Sequence, residues 1–329
     1  MKRFILILLL LTPPAFAQSY LESALPYIPD SFVRASFSNW DLLRSERGVT
    51  RAELSTQDAY DSFARTILNT AIDVNRYGRW RNFRNGHDWG WDHRDLEWQV
   101  TASGPANETL FIMKFHESFS FSELKSLLKK QGYELTTYKN TEIYSHSLVK
   151  PVIFMDPAFH SAVLEEQGLI LASDSLEPLE LAIDTALGQA ASFNDGAMQS
   201  LTQSWTGVDV AALLKGEYYC KASRFPEKEL EALNEVYTLD AYEALGLRVE
   251  SGDAEGLRFT MTFATAELAQ ANLTARQELA DIDKERSGGL FEFEAAELDS
   301  NHLTLSLAPS ADLLDLFGII DNLYFTVCP

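Results

Sequence analysis

Two histidines, three tryptophans and four acidic residues crowd into the fifteen positions of "GHDWGWDHRDLEWQV", residues 86–100. Neutral imidazole and carboxylate suit zinc or manganese. His87, Asp92 and His93, with Asp88 and Asp95 beside them, therefore form a candidate metal set, and a metal-dependent hydrolase is the activity it would serve. Gly86, Gly90 and the aspartates mark a loop, so no helical spacing aims these ligands at one point.

The residues just upstream suggest a different chemistry. Arg76, Arg79, Arg81 and Arg84 alternate with Tyr77, Trp80 and Phe83, and Trp89 and Trp91 follow. Four of the six tryptophans lie between positions 80 and 98. Guanidinium forks and aromatic faces together suit an anionic glycan or a peptide carboxylate. Arg79, Trp80, Arg81, Arg84, Trp89 and Trp91 are the candidate ligand-binding residues. The competing structural role is that the aromatics pin a long loop to a sheet while the arginines pair with surplus carboxylates.

Other catalytic patterns are missing. The sequence has no G-x-S-x-G, H-E-x-x-H, P-loop, G-x-G-x-x-G or C-x-x-C. S-x-x-K occurs at Ser122–Lys125 and Ser147–Lys150, without the S-D-N and K-T-G partners of a serine acylase. "DIDKERSGGLFE", residues 281–292, spaces acids like a calcium loop but has Arg286 where the sharp turn needs glycine. His116, His146, His160 and His302 are scattered and read as ordinary surface or strand residues. No cofactor is indicated.

The elements that must hold these residues alternate between strands and helices. "FVRASF" (32–37), "DLEWQVTA" (95–102) and "ETLFIMKF" (108–115) read as strands, with Leu96, Trp98 and Val100 on one face. A helix is expected from Ser55 to about Gly78. Ser120 and Glu123 form a capping box for a second helix that Gly132 stops. Hairpins should turn at Lys139–Asn140 and at Glu166–Gly168, and a helix from Ser175 should stop at Gly188. The second half offers a strand pair around "SGDAEG", a helix capped by Thr265 and a hairpin turning at Asp299–Asn301. A short helix "ADLLDLFGII" and a last strand "LYFTVC" complete it. The order strand pair, helix, hairpin, helix occurs in both halves, which suggests a duplication. The fold class is α+β, with mainly antiparallel sheets covered by helices in two related halves. The expected division is a leader at 1–17, an N-terminal α+β domain at 18–190 and a C-terminal α+β domain at 191–329. The small, polar stretch 188–207 marks the boundary.

The compartment follows from the first residues. A basic start, "MKRF", an apolar run and small residues at Ala15 and Ala17 make a secretory signal peptide cut after Ala17. No later apolar run is long enough to span a membrane. Losing Lys2 and Arg3 takes the formal charge from −21 to −23, a surface that repels nucleic acid and anionic lipid. In an oxidising compartment Cys220 and Cys328 are expected to pair, clipping the C-terminal tail to a strand ending "GEYYC".

"ALPYIPDSFVRASFSNWDLL", "GWDHRDLEWQV" and "GLILASDSLEPLELAIDTALG" give the chain a resemblance to uncharacterised exported bacterial proteins, over roughly residues 24–188. That resemblance implies an extracytoplasmic protein of repeated α+β units and transfers no catalytic residue. The expectation is an exported, periplasmic or secreted protein that binds an envelope component or polymer without catalysis, with a metal-dependent hydrolase using the His87–Asp95 segment as the alternative.

Overall fold

The computed structural model describes residues 20–56, 93–106, 108–146, 160–203, 210–221, 225–250, 256–286, 291–309 and 323–328. It also describes residues 58, 59, 62, 63, 91, 205, 208 and 289. In the stretch expected to be a helix from Ser55, residues 58, 59, 62 and 63 are described and helical, while Ser55 itself ends a 3-10 turn over Glu53–Ser55 and the Thr56 hydroxyl accepts from the Ala59 amide at 3.3 Å. The expected leader and the "ADLLDLFGII" helix lie outside the described residues.

The strands are β1 (Arg34–Asn39), β2 (Leu96–Ser103), β3 (Thr109–Phe115), β4 (Glu134–Tyr138), β5 (Thr141–Ser145) and β6 (His160–Leu164). They continue as β7 (Leu169–Ser173), β8 (Val210–Lys215), β9 (Ala244–Glu250), β10 (Gly256–Thr262), β11 (Phe291–Asp299) and β12 (His302–Pro309). The helices are α1 (Tyr20–Ala24), α2 (Trp40–Glu46), α3 (Phe121–Lys130) and α4 (Leu176–Ala186). After them come α5 (Gly196–Thr202), α6 (Gly216–Lys221), α7 (Glu227–Val236) and α8 (Ala266–Arg286).

Among the described residues, twelve strands join one sheet, in the order β11-β12-β10-β9-β8-β1-β2-β3-β7-β6-β5-β4. Each pairing is antiparallel, so the fold is α+β. The central pair is β1 with β8, in the register Ser36 opposite Ala212. Outward from that pair the two halves run 1-2-3-7-6 and 8-9-10-12-11. In each, a helix follows the third strand, and a later hairpin lays its second strand back on the third. The hairpin in the position of β11–β12 is β6–β7. The hairpin β4–β5, which directly follows α3 in the chain, is an extra one at the outer edge.

The sheet buries apolar residues on both faces. On the first face, Phe37, Trp98, Val100, Ile112 and Leu171 pack under Leu179 and Ile183 of α4 and Leu201 of α5. On the second, α2 and α3 cover Phe111, Met113 and Phe115, and α8 covers Phe259, Met261 and Leu305. α3 and α8 therefore occupy matching places on one face, the arrangement a two-fold axis normal to the sheet produces.

Several local readings hold. Ser120 accepts from the Glu123 amide at 3.4 Å, and Lys139 and Asn140 both take positive φ in the two-residue turn. Others need correction. Stretch 188–207 is more than a connector, because α5 within it packs on β9 and β10. Gly246 of β9 permits this: a Cβ there would lie 2.4 Å from the Trp205 ring. "GEYYC" is the helix α6 rather than a strand end, because β8 stops at Lys215. The tail "LYFTVC" makes a 3-10 turn over Tyr324–Thr326 instead of a strand.

Side chains hold that tail. Cys220 and Cys328 stand at disulfide distance with their Cα atoms 4.9 Å apart, within the range such a bridge needs. The guanidinium of Arg276, fully buried in α8, donates to Phe325 O at 2.7 Å and also to Val327 O. Asp283, about two turns further along the same face of α8, accepts from the Phe325 amide at 3.0 Å. Burial lowers the Arg276 pKa to about 10, against the pull of Tyr242 and Asp240.

Candidate functional site

The segment that opens the sequence analysis enters the sheet at the start of β2. Pairing of β2 with β3 shifts between Leu96 and Trp98, leaving Glu97 as a bulge residue. The bulge reverses the alternation. Leu96 packs on the second face while Trp98 and Val100 pack on the first, so the three do not share one face.

α2 supplies the clamp. The Asn39 side chain caps it, accepting from the Leu42 amide at 3.0 Å. One turn on, the buried Arg44 donates to His93 O at 2.8 Å and to Leu96 O at 2.6 Å. It also binds Asp41 Oδ1 at 2.6 Å. Arg51 adds a second anchor, donating to Arg94 O at 2.6 Å, and Arg94 returns a bond to Leu54 O at 2.9 Å. Two guanidiniums thus satisfy carbonyls where the chain enters the ladder, at His93, Arg94 and the bulged start of β2.

Around Arg44 sits a cluster of ionisable groups. His116 Nε2 lies 3.1 Å from Asp41 Oδ1 and 3.1 Å from Arg44 Nη2. His116 Nδ1 is 3.8 Å from Glu97 Oε1, and the Tyr20 hydroxyl donates to Asp41 Oδ2 at 3.3 Å. Burial raises the Glu97 pKa, with Lys114 opposing and Asp41 and Glu117 adding to it. Burial lowers the His116 pKa, although Asp41 pulls the other way. An imidazole whose charged form burial disfavours thus stands between two carboxylates, and burial disfavours the charged form of one of them, Glu97, as well. The 3.8 Å from His116 to Glu97 is too long for a hydrogen bond, whereas the Asp41 carboxylate ties Arg44, His116 and Tyr20 together beside the start of β2.

The sequence-derived candidates fall as follows. His93 is buried at 5% exposure and stacks on Trp40 with ring centroids 4.3 Å apart. Trp91 meets Phe115 edge-on at 5.6 Å. Asp95 lies 3.4 Å from Arg51 Nη2. Arg79, Trp80, Arg81, Arg84, His87, Trp89 and Asp92 lie outside the described residues. Among the described residues, no group of three or more His, Cys, Asp and Glu is placed to hold a metal ion. Sequence reasoning missed Asp41, Arg44, Glu97 and His116. They are dispersed along the chain, and only the bulge and α2 bring them together.

No protein-family model, curated protein or solved structure matches the chain.

Proposed function

We propose that this chain is an exported, extracytoplasmic protein that binds a component of the cell envelope. The observation that carries the compartment is the Cys220–Cys328 pair at disulfide distance, since such bridges persist where thiols are oxidised. The signal-like start of the sequence supports the same reading. Among the described residues, no helix is long and apolar enough to cross a membrane.

The binding part of the reading rests on the arginine and aromatic array at 76–91. The residues that follow it, His93, Arg94 and Leu96, have their carbonyls held by Arg44 and Arg51. The chemistry suits an acidic polymer, such as an anionic glycan. Cell fractionation with N-terminal sequencing tests export: mature protein beginning at Gln18 is expected, and full-length protein in the cytoplasm overturns it. Co-sedimentation with purified anionic cell-wall polymer tests binding. The joint Arg79→Ala, Arg81→Ala, Trp89→Ala and Trp91→Ala variant should lose at least tenfold in affinity. Unchanged binding by a folded variant removes the array from consideration.

A further inference from the structure

We infer that Ser200 is a nucleophile, activated by His302, that takes the acyl group of a carboxylic ester. The two residues are 102 positions apart, so no sequence motif joins them. α5 crosses β9 and β10 on the first face and sets Ser200 over the beginning of β12. There the Ser200 hydroxyl lies 3.1 Å from His302 Nε2. On the other side of the ring, Nδ1 lies 3.1 Å from the Thr262 hydroxyl. Thr262 is 1% exposed and its strand position is fixed, so it holds the imidazole from behind. These are the relations of nucleophile, base and orienting group.

The surroundings fit the same role. His302 lies opposite Thr262 on β10 and opposite Asp299 on β11. Burial holds the imidazole below its ordinary pKa, which leaves a neutral base at pH 7. The Asp299 carboxylate opposes that shift and stabilises the imidazolium once it forms. One row along the same face, the Thr260 and Thr304 hydroxyls meet at 3.0 Å, followed by the row of Arg258 and Ser306. An ester that carries hydroxyls of its own, such as an acylated sugar, matches that polar surface.

In the step itself, Ser200 Oγ bonds to the ester carbonyl carbon and its proton passes to His302 Nε2. The carbon–oxygen bond to the alcohol then breaks, and the alcohol leaves with that proton. Water later cleaves the acyl-serine to the free acid. The reacting pair is drawn from α5 and β12.

The test uses the mature chain with 4-nitrophenyl acetate and, separately, a fluorophosphonate. Intact mass and peptide mapping should find one adduct, on Ser200. Ser200→Ala should abolish it, and His302→Gln should slow it by about a hundredfold or more. Ser200→Cys gives a second reading if His302→Gln is poorly folded: its alkylation by iodoacetamide should exceed that of an exposed cysteine placed elsewhere. No adduct on Ser200 in folded protein overturns the inference, as does a Ser200 adduct that forms equally fast in folded His302→Gln. A hydrogen bond that only ties helix to sheet would give those results.

Discussion

Replacing Asp283 by asparagine should change how stability depends on pH. The Asp283 side chain is 1% exposed and accepts the Phe325 amide that fastens the C-terminal tail. Burial raises its pKa from 3.8 to about 6, against the backbone bonds and Arg286 that favour the charged form. The native state therefore binds this proton more tightly than the unfolded chain does. Its stabilisation is complete below about pH 4 and is lost as pH rises through about 6. Roughly two pK units at ~1.4 kcal/mol each make that loss about 3 kcal/mol. The asparagine amide keeps an oxygen for the Phe325 amide and carries no charge at any pH. It gives up the ion pair to Arg286, whose side chain is 41% exposed, a contact worth about 0–1 kcal/mol. Urea titrations followed by tryptophan fluorescence, run on both proteins between about pH 4 and 7, measure the difference directly. The variant should gain on the wild type by about 2–3 kcal/mol across that range. Subtracting the two curves removes every other titrating group. A gap that does not vary with pH would refute the reasoning.

Further outcomes are expected at other positions. Arg44→Ala should cost about 2–5 kcal/mol in urea unfolding, because it strands the carbonyls of His93 and Leu96. Gly246→Ala should cost about 1–3 kcal/mol, since its methyl group would meet the Trp205 ring; the near-ultraviolet circular dichroism of that tryptophan should change with it. Joint Cys220→Ser and Cys328→Ser replacement should lower stability by up to about 5 kcal/mol in a thermal or urea melt. His116 has a lowered folded pKa, so its contribution is present above about pH 6.5 and is lost as pH falls below that value. His116→Gln should therefore flatten the stability profile on the acid side, read by the same titrations.

Elements governed by local chemistry were legible in the sequence. The Lys139–Asn140 turn, the Ser120 cap and the glycine stops at 132 and 188 are each set by residues within a few positions. The halves were legible as an order of elements, but the matching hairpin was not, because β4–β5 and β6–β7 look alike until pairing partners are known. α2 escaped notice because it spans only Trp40–Glu46 and is charged on its outer side. The tail read as a strand because "LYFTVC" is β-prone. Burial against α8 and the Arg276 bonds overrode that propensity. The ionisable cluster was hidden for a different reason. A bulge at Glu97 re-aims side chains, and neither strand alternation nor residue spacing announces it.

Joining the first strand to the eighth has a consequence for the order in which the protein can be assembled. Arg34 waits for Leu214, so the middle of the sheet is a contact between distant parts of the chain. As a polypeptide emerges from its N-terminus, β1 has β2 on one side and nothing on the other until β8 arrives. The unpaired edge is flanked by side chains as apolar as Phe37 and Ala35, a combination that invites association with other chains. Folding of this protein should therefore be slow for its size and concentration-sensitive. A factor that shields β1 during that interval would raise the yield more than any change to the finished surface.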